Sequence, residues 1–235
     1  MILYVNGDSH SAGAEAVNRH CFAQDDTLFQ PGGRRPHPDN LKVSYGQLLA
    51  NQLGWDFHCQ AESASSNDRI IRTTRKYLKT TTPDLIIIGW ATWEREEYLF
   101  DGIYYQMSGG LQNVDNTWPL SVVEYYRHWD FTANPNAKAL HWHDTLIEFH
   151  EELQNQNIPH LFFNTYTAFN HNFITPTDWN QSYLSPYSHD DTYFFWLKNQ
   201  GYQTVNQNSY HFGPDAHEAW ANHLTNTLKD SILIK

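Results

Sequence analysis

The sequence predicts an α/β fold, a flavodoxin-like three-layer α/β/α sandwich around a mostly parallel five-stranded sheet. Three observations predict it. Short apolar runs at 2–6, 85–88 and 159–163 have the length and composition of buried strands. Segments with helical spacing lie between them, and strands that alternate with helices pair in parallel because each crossover needs a helix-length connection. Gly and Pro mark joints between these segments, at Asn6-Gly7, Gly54, Pro83 and Gly201.

Taken in order, residues 2–6 form the first strand and turn sharply at Asn6-Gly7. The Ala-rich stretch from Ser11 to Cys21 reads as a helix, and residues 22–41, with Gln30-Pro31-Gly32-Gly33, as a loop. Ser44 to Leu53 has helical spacing and stops at Gly54, the residue type that best takes the left-handed turn ending a helix. Trp55 to Gln60 alternates as a strand. Asn67 to Thr80 is a second helix with Ile70, Ile71, Tyr77 and Leu78 on its apolar side and Ser66 or Asn67 as its cap.

Leu85 to Ile88 is the third strand, and residues 90–135 lack periodicity and read as an insertion. Within it, Glu94-Arg95-Glu96-Glu97 reads as a solvated or ion-paired helix start. Ala137 to Gln156 is a long amphipathic helix and Pro159 to Phe163 a fourth strand. A polar, aromatic loop covers 165–190. Thr192 to Gln200 is a helix, Tyr202 to Val205 the fifth strand, and Pro214 to Leu233 the closing helix. No linker composition divides residues 1–235, so one domain is expected.

Composition narrows function before any motif does. Fifteen Lys+Arg against 26 Asp+Glu give a formal charge of −11, which argues against nucleic acid, since phosphate binding runs on clustered cations. No apolar run approaches the roughly 18 residues of a membrane span. The chain opens directly on a strand, without a basic n-region or apolar h-region, so cytoplasmic synthesis without a signal peptide is the expectation. Cys21 and Cys59 then read as thiols rather than a disulfide. His141-Trp142-His143-Asp144 does not read as a metal site, because positions i and i+2 of a helix face different ways, and His217 with Glu218 fits a helix surface. No cofactor is implied.

Ligands of open α/β sheets bind beyond the C-terminal ends of the strands. Four segments reach that rim: Gly7-Asp8-Ser9-His10-Ser11, Glu62 to Asp68, Gly89 to Arg95, and Asn208 to Pro214. A serine, a histidine and several hydrogen-bond donors therefore converge there. Asp8 reads as a turn residue whose carboxylate bonds nearby N–H groups. His10 is a site candidate beside its plainer reading as an exposed loop histidine.

Gly7-Asp8-Ser9 after the first strand, with His211 before the last helix followed by His217, resembles the SGNH (GDSL-type) hydrolases. The resemblance implies Ser9 as nucleophile, His211 as general base and Asn208 as the group that orients His211. Asn208 stands where the family has Asp, and a neutral carbonyl oxygen can still accept the imidazole N–H. It also implies an oxyanion hole from the backbone N–H groups of Ser9 and Ala64. The family's third donor is an Asn side chain, which Gly89-Trp90-Ala91-Thr92 lacks. Asn67 and Thr92 are the replacements, Asn67 the better one because its amide nitrogen can only donate.

The implied activity is hydrolysis of a small acyl ester, such as an O-acetyl group on a glycan. Trp90, Trp93, Arg95 and His10 are the candidate substrate contacts, Arg95 for an anionic group. The loop aromatics (Trp118, Trp129, Trp142 and Trp179, with Tyr104, Tyr105, Tyr125 and Tyr126) either stack on sugar faces or form satellite cores. A catalytically silent scaffold that binds glycans or serves in assembly is the alternative, and an acyltransferase would use the same residues.

Overall fold

Alternate residues of each central strand belong to two different apolar layers, and this alternation builds the molecule. In the computed structural model, which describes residues 1–23, 35–108, 117–132, 134–231 and 233, β1 (Ile2–Gly7), β3 (Leu85–Trp90) and β6 (His160–Asn164) are almost entirely buried. Tyr4, Ile86, Ile88 and Phe162 pack on one side, against α3 (Asn67–Leu78) and α5 (Pro135–Asn155) through Ile70, Trp142, Leu146, Phe149 and Leu153. Leu3, Val5, Leu85, Ile87, Leu161 and Phe163 pack on the other, against α2 (Tyr45–Leu53), α6 (Tyr193–Asn199) and α7 (Pro214–Lys229). A strand with no solvated face is what turns these runs continuously apolar.

β2 (Asp56–Cys59) and β7 (Tyr183–Leu184) complete a parallel sheet in the order β2-β1-β3-β6-β7. Apart from a separate two-stranded hairpin in the insertion, this is the flavodoxin-like order with its switch point between β1 and β3. The predicted three-layer α/β architecture holds. Caps follow the sequence: Ser44 Oγ accepts from Gln47 N–H, Ser66 Oγ from Arg69 N–H, and Gly54 closes α2 at φ 69°.

Four elements differ from expectation. The fifth strand is Tyr183–Leu184, inside the predicted 165–190 loop, whereas 202–205 makes only one antiparallel bridge, Thr204 to Phe212. Two residues carry no period, so β7 left no sequence signal. The 11–21 stretch is a series of turns, not a helix: Ala12, Gly13, Ala14 and Ala16 N–H bond to Asp8, His10, Ser9 and Gly13 carbonyls, and Gly13 and Glu15 are left-handed at φ 66° and 61°. The predicted 22–41 loop contains a short helix, α1 (Pro38–Lys42), and its Pro-Gly centre lies outside the described residues.

The fourth difference is in the insertion, where Glu96 and Glu97 begin a strand, not a helix. β4 (Glu96–Phe100) pairs antiparallel with β5 (Ile103–Met107), and α4 (Leu120–Thr132) follows. Tyr105, Met107, Trp118, Val122, Tyr126 and Trp129 form the insertion's own small core. Among the described residues no helix is long and apolar enough to cross a membrane.

Candidate active site

The loop after β1 is shaped by what cannot fit there. A Cβ on Gly7 would lie 2.2 Å from Ser11 Oγ and 2.7 Å from the Gly89 carbonyl oxygen, and one on Gly89 would lie 2.7 Å from the same hydroxyl. Two glycines thus let β1 and β3 close around Ser11, whose Oγ accepts from Tyr45 Oη at 2.7 Å. Asp8 then makes the turn: Oδ1 accepts His10 N–H at 3.0 Å, while Oδ2 accepts from Arg95 Nη1 at 3.2 Å and Thr165 Oγ1 at 3.3 Å. These bonds fix the backbone on both sides of Ser9.

The loop after β2 is held from beneath by a buried guanidinium. Arg69 pairs with Glu62 at 2.5 Å and donates to Gln60 O and Ser65 Oγ. Ala64 sits at the crest in the left-handed region, φ 67°, a conformation that costs a non-glycine residue on the order of 1–2 kcal/mol. Among the described residues, the main-chain N–H groups of Ser9 and Ala64 have no hydrogen-bond acceptor. Both residues line one cavity of about 740 Å³, at the β1/β3 switch point.

His211 reaches the same cavity from the other side. It is positioned by Phe212, buried against Tyr193 and Phe194, and by the bond from Val205 N–H to His211 O. Its Nδ1 lies 2.6 Å from Glu15 Oε2, and Ser209 Oγ donates to that same oxygen at 2.6 Å. Burial raises the Glu15 carboxyl, but the hydrogen bonds from His211 and Ser209 outweigh it and hold the group below the usual carboxylate range.

Glu15 therefore takes the place expected for Asn208. Asn208 is exposed and its backbone N–H bonds Asn206 Oδ1 at 2.9 Å, so it does not orient His211. Glu15 is the one carboxylate between Ser9 and Cys21 in sequence. That is the sequence signal for it, and the turns that replace the expected 11–21 helix bring it to His211.

The cavity gathers Ser9, Ala64, Thr92, Arg95, His10 and His211, with Trp129, Tyr166 and Tyr210 as its tryptophan and tyrosine walls. His10 is buried, not an exposed loop residue; its ring lies 5.4 Å from His211 and 5.2 Å from Tyr193. Burial lowers its pKa to about 4, so it is neutral near pH 7.

Besides Asn208, three predicted site residues are elsewhere. Asn67 is buried, and its amide spans Ala91, donating to the carbonyl at 3.2 Å and accepting the N–H at 2.9 Å. Fully buried and outside the cavity lining, it clamps α3 to the loop after β3 and does not face a substrate. Trp90 points with the even residues of β3 into the α5 layer, edge-on to Phe149 and Phe162. Trp93 stacks on Phe169 at 4.4 Å and 3°. Neither Trp lines the cavity. Trp142 and Trp179 share their core, and Trp118 belongs to the insertion's core, so most loop aromatics pack rather than face a ligand.

His217 is also interior rather than on a helix surface; its Nδ1 accepts Tyr45 N–H at 3.3 Å, and burial brings its pKa to about 3. Cys21 and Cys59 are not joined in a disulfide. Among the described residues no three His, Cys, Asp or Glu side chains are grouped to hold a metal ion.

The fold is an α/β sandwich whose switch-point cavity is lined by Ser9 and His211, with Glu15 bonded to His211 Nδ1. No family model and no curated protein matches the sequence. Solved structures do align with it. A carbohydrate esterase aligns at TM-score 0.46 and 14% identity, over 98% of this chain and 65% of the other. An acetyl xylan esterase from the rumen bacterium Butyrivibrio proteoclasticus aligns at TM-score 0.44 and 14% identity, over 97% and 63%. A psychrotrophic esterase from Pseudoalteromonas sp. aligns at TM-score 0.45 and 10% identity, over 97% of both chains. The chain thus spans under two thirds of the length of the first two.

Proposed function

We propose that this protein is a serine esterase that hydrolyses a small acyl ester carried on a carbohydrate. One observation carries the reading: Glu15 occupies His211 Nδ1 at 2.6 Å beside a cavity that Ser9 also lines. A carboxylate on Nδ1 keeps the proton there and leaves Nε2 with its lone pair, the state a general base needs.

Ser9 Oγ attacks the acyl carbonyl as His211 Nε2 takes its proton. The carbonyl electron pair moves onto oxygen and is met by the N–H groups of Ser9 and Ala64. Collapse breaks the C–O bond to the alcohol, which leaves with the proton from Nε2. Water, deprotonated by the same nitrogen, then releases the acid from Ser9. The carbohydrate part of the reading rests on the walls: Trp129, Tyr166 and Tyr210 offer ring faces, and Ser63, Thr92 and Thr167 offer hydroxyls. Glu94 and the paired Asp8 and Arg95 add no net positive charge, which favours a neutral substrate over an anionic one.

The test is hydrolysis of a short-chain nitrophenyl ester by the wild type and by Ser9→Ala, together with mass spectrometry after exposure to a serine-directed phosphonate. Turnover that Ser9→Ala abolishes, with an adduct on Ser9, supports the reading. Equal rates in both proteins would overturn it.

A further inference from the structure

The cavity presents two unpartnered main-chain donors, the N–H groups of Ser9 and Ala64, and Asn67, bonded to Ala91 and outside the lining, adds no third. The guanidinium that lines the same cavity is that of Arg95. Its Nη1 donates to Asp8 Oδ2 at 3.2 Å and to Ser65 O at 3.3 Å. Asp8 immediately precedes Ser9 and Ser65 immediately follows Ala64, so the guanidinium bridges the two peptide segments whose N–H groups are unpartnered. Nε and Nη2 make no hydrogen bond among the described residues, and Arg95 lines the cavity. The Asp8 carboxylate is buried and the Arg95 side chain only 23% exposed, so the fork is held in place before a substrate arrives.

We propose that Arg95 is a catalytic residue of the esterase reading on which this rests, its free guanidinium N–H groups donating to the oxyanion of the tetrahedral intermediate. The ester carbonyl carries a partial charge in the ground state and a full one after Ser9 adds, so a fixed cation stabilises the second state more. Acylation and deacylation both pass through such an oxyanion, so Arg95 serves both. The sequence reading of Arg95 as a clamp for an anionic substrate group predicts instead an unchanged kcat on a neutral ester, which has no such group to hold.

The experiment compares wild type, Ser9→Ala, Arg95→Gln and Arg95→Lys on nitrophenyl acetate, with urea midpoints and the rate of Ser9 phosphonylation measured on each. Loss of one oxyanion donor predicts a fall in kcat of about 10²–10³ for Arg95→Gln, with KM within about threefold and phosphonylation slowed in parallel. Arg95→Lys, which keeps the charge opposite Asp8 but not the fork, falls between. Should Arg95→Gln lose its fold, Arg95→Lys carries the test through the same kcat-against-KM split. Unchanged kcat in a folded Arg95 variant, or a change confined to KM, overturns the proposal while Ser9→Ala still establishes the esterase. Wild-type turnover no faster than that of Ser9→Ala overturns both.

Discussion

Glu15 and His211 are 196 residues apart in sequence, and a 2.6 Å contact between the Glu15 carboxylate and His211 Nδ1 joins them. Glu15 reaches it from a left-handed backbone position, φ 61°. Strain of this kind costs about 1–3 kcal/mol and persists where the surroundings impose it. Here the imposing contacts are the turn after Ser9 and the two donors on Oε2.

This contact makes Glu15 the positioning residue for the imidazole. Glu15→Gln presents an amide that can donate to Nδ1, which favours the tautomer with its proton on Nε2. A kcat loss of about 10²-fold or more is expected, with KM little changed. Glu15→Asp should recover part of it, and Asn208→Ala should stay within about twofold of wild type. Steady-state kinetics on the four proteins checks this; a larger loss for Asn208→Ala than for Glu15→Gln would reverse the assignment.

Asn67 gives a contrasting outcome. Its two bonds to Ala91 are buried, and Asn67→Ala leaves a buried N–H and C=O without partners. The expected loss is about 1–3 kcal/mol of stability, read as a lower urea midpoint. A variant with unchanged stability and a 10²-fold lower kcat would return Asn67 to the oxyanion hole.

The buried histidines set an acid limit. Burial lowers His10 and His160 to about 4 and His217 to about 3, against 6.5 for the free side chain. Below pH 6.5 the unfolded chain binds protons that the folded chain refuses, so stability is complete above that pH and falls as pH drops toward 4. Each group contributes a slope of up to about 1.4 kcal/mol per pH unit. Urea unfolding at pH 7, 6 and 5 measures it, and equal free energies at pH 7 and 5 would refute it.

The insertion is tied to the sheet layers by charge. Glu97 takes both Arg72 Nε and Nη2, at 2.7 and 2.6 Å, and Gln106 Nε2 at 2.6 Å, while the Arg72 guanidinium lies 3.8 Å over the Tyr104 ring. Glu96 joins Lys138 and Tyr125. Arg72→Met strands the Glu97 carboxylate, 3% exposed, at a cost of about 3 kcal/mol, the low end for a buried pair because Arg72 itself is a third exposed. Arg72→Met with Glu97→Leu should cost less than Arg72→Met alone. A double-mutant cycle in urea reads the difference.

The sequence by itself determined the layer architecture, because continuous apolar runs at 2–6, 85–88 and 159–163 have no stable place except the middle of a covered parallel sheet. It also placed Ser9 and His211 on one rim, since each adjoins an element with a strong local signal, β1 and the Pro214 start of α7. Tertiary structure alone decided what surrounds them. Glu15, Arg95 and Asn67 differ in role because of partners 196, 87 and 24 residues away, and no periodicity or cap encodes such distances. The aromatics were sorted the same way. Composition supplied nine Trp, but strand parity and the insertion's own packing buried Trp90, Trp93, Trp118, Trp129, Trp142 and Trp179, and of these only Trp129 also lines the cavity.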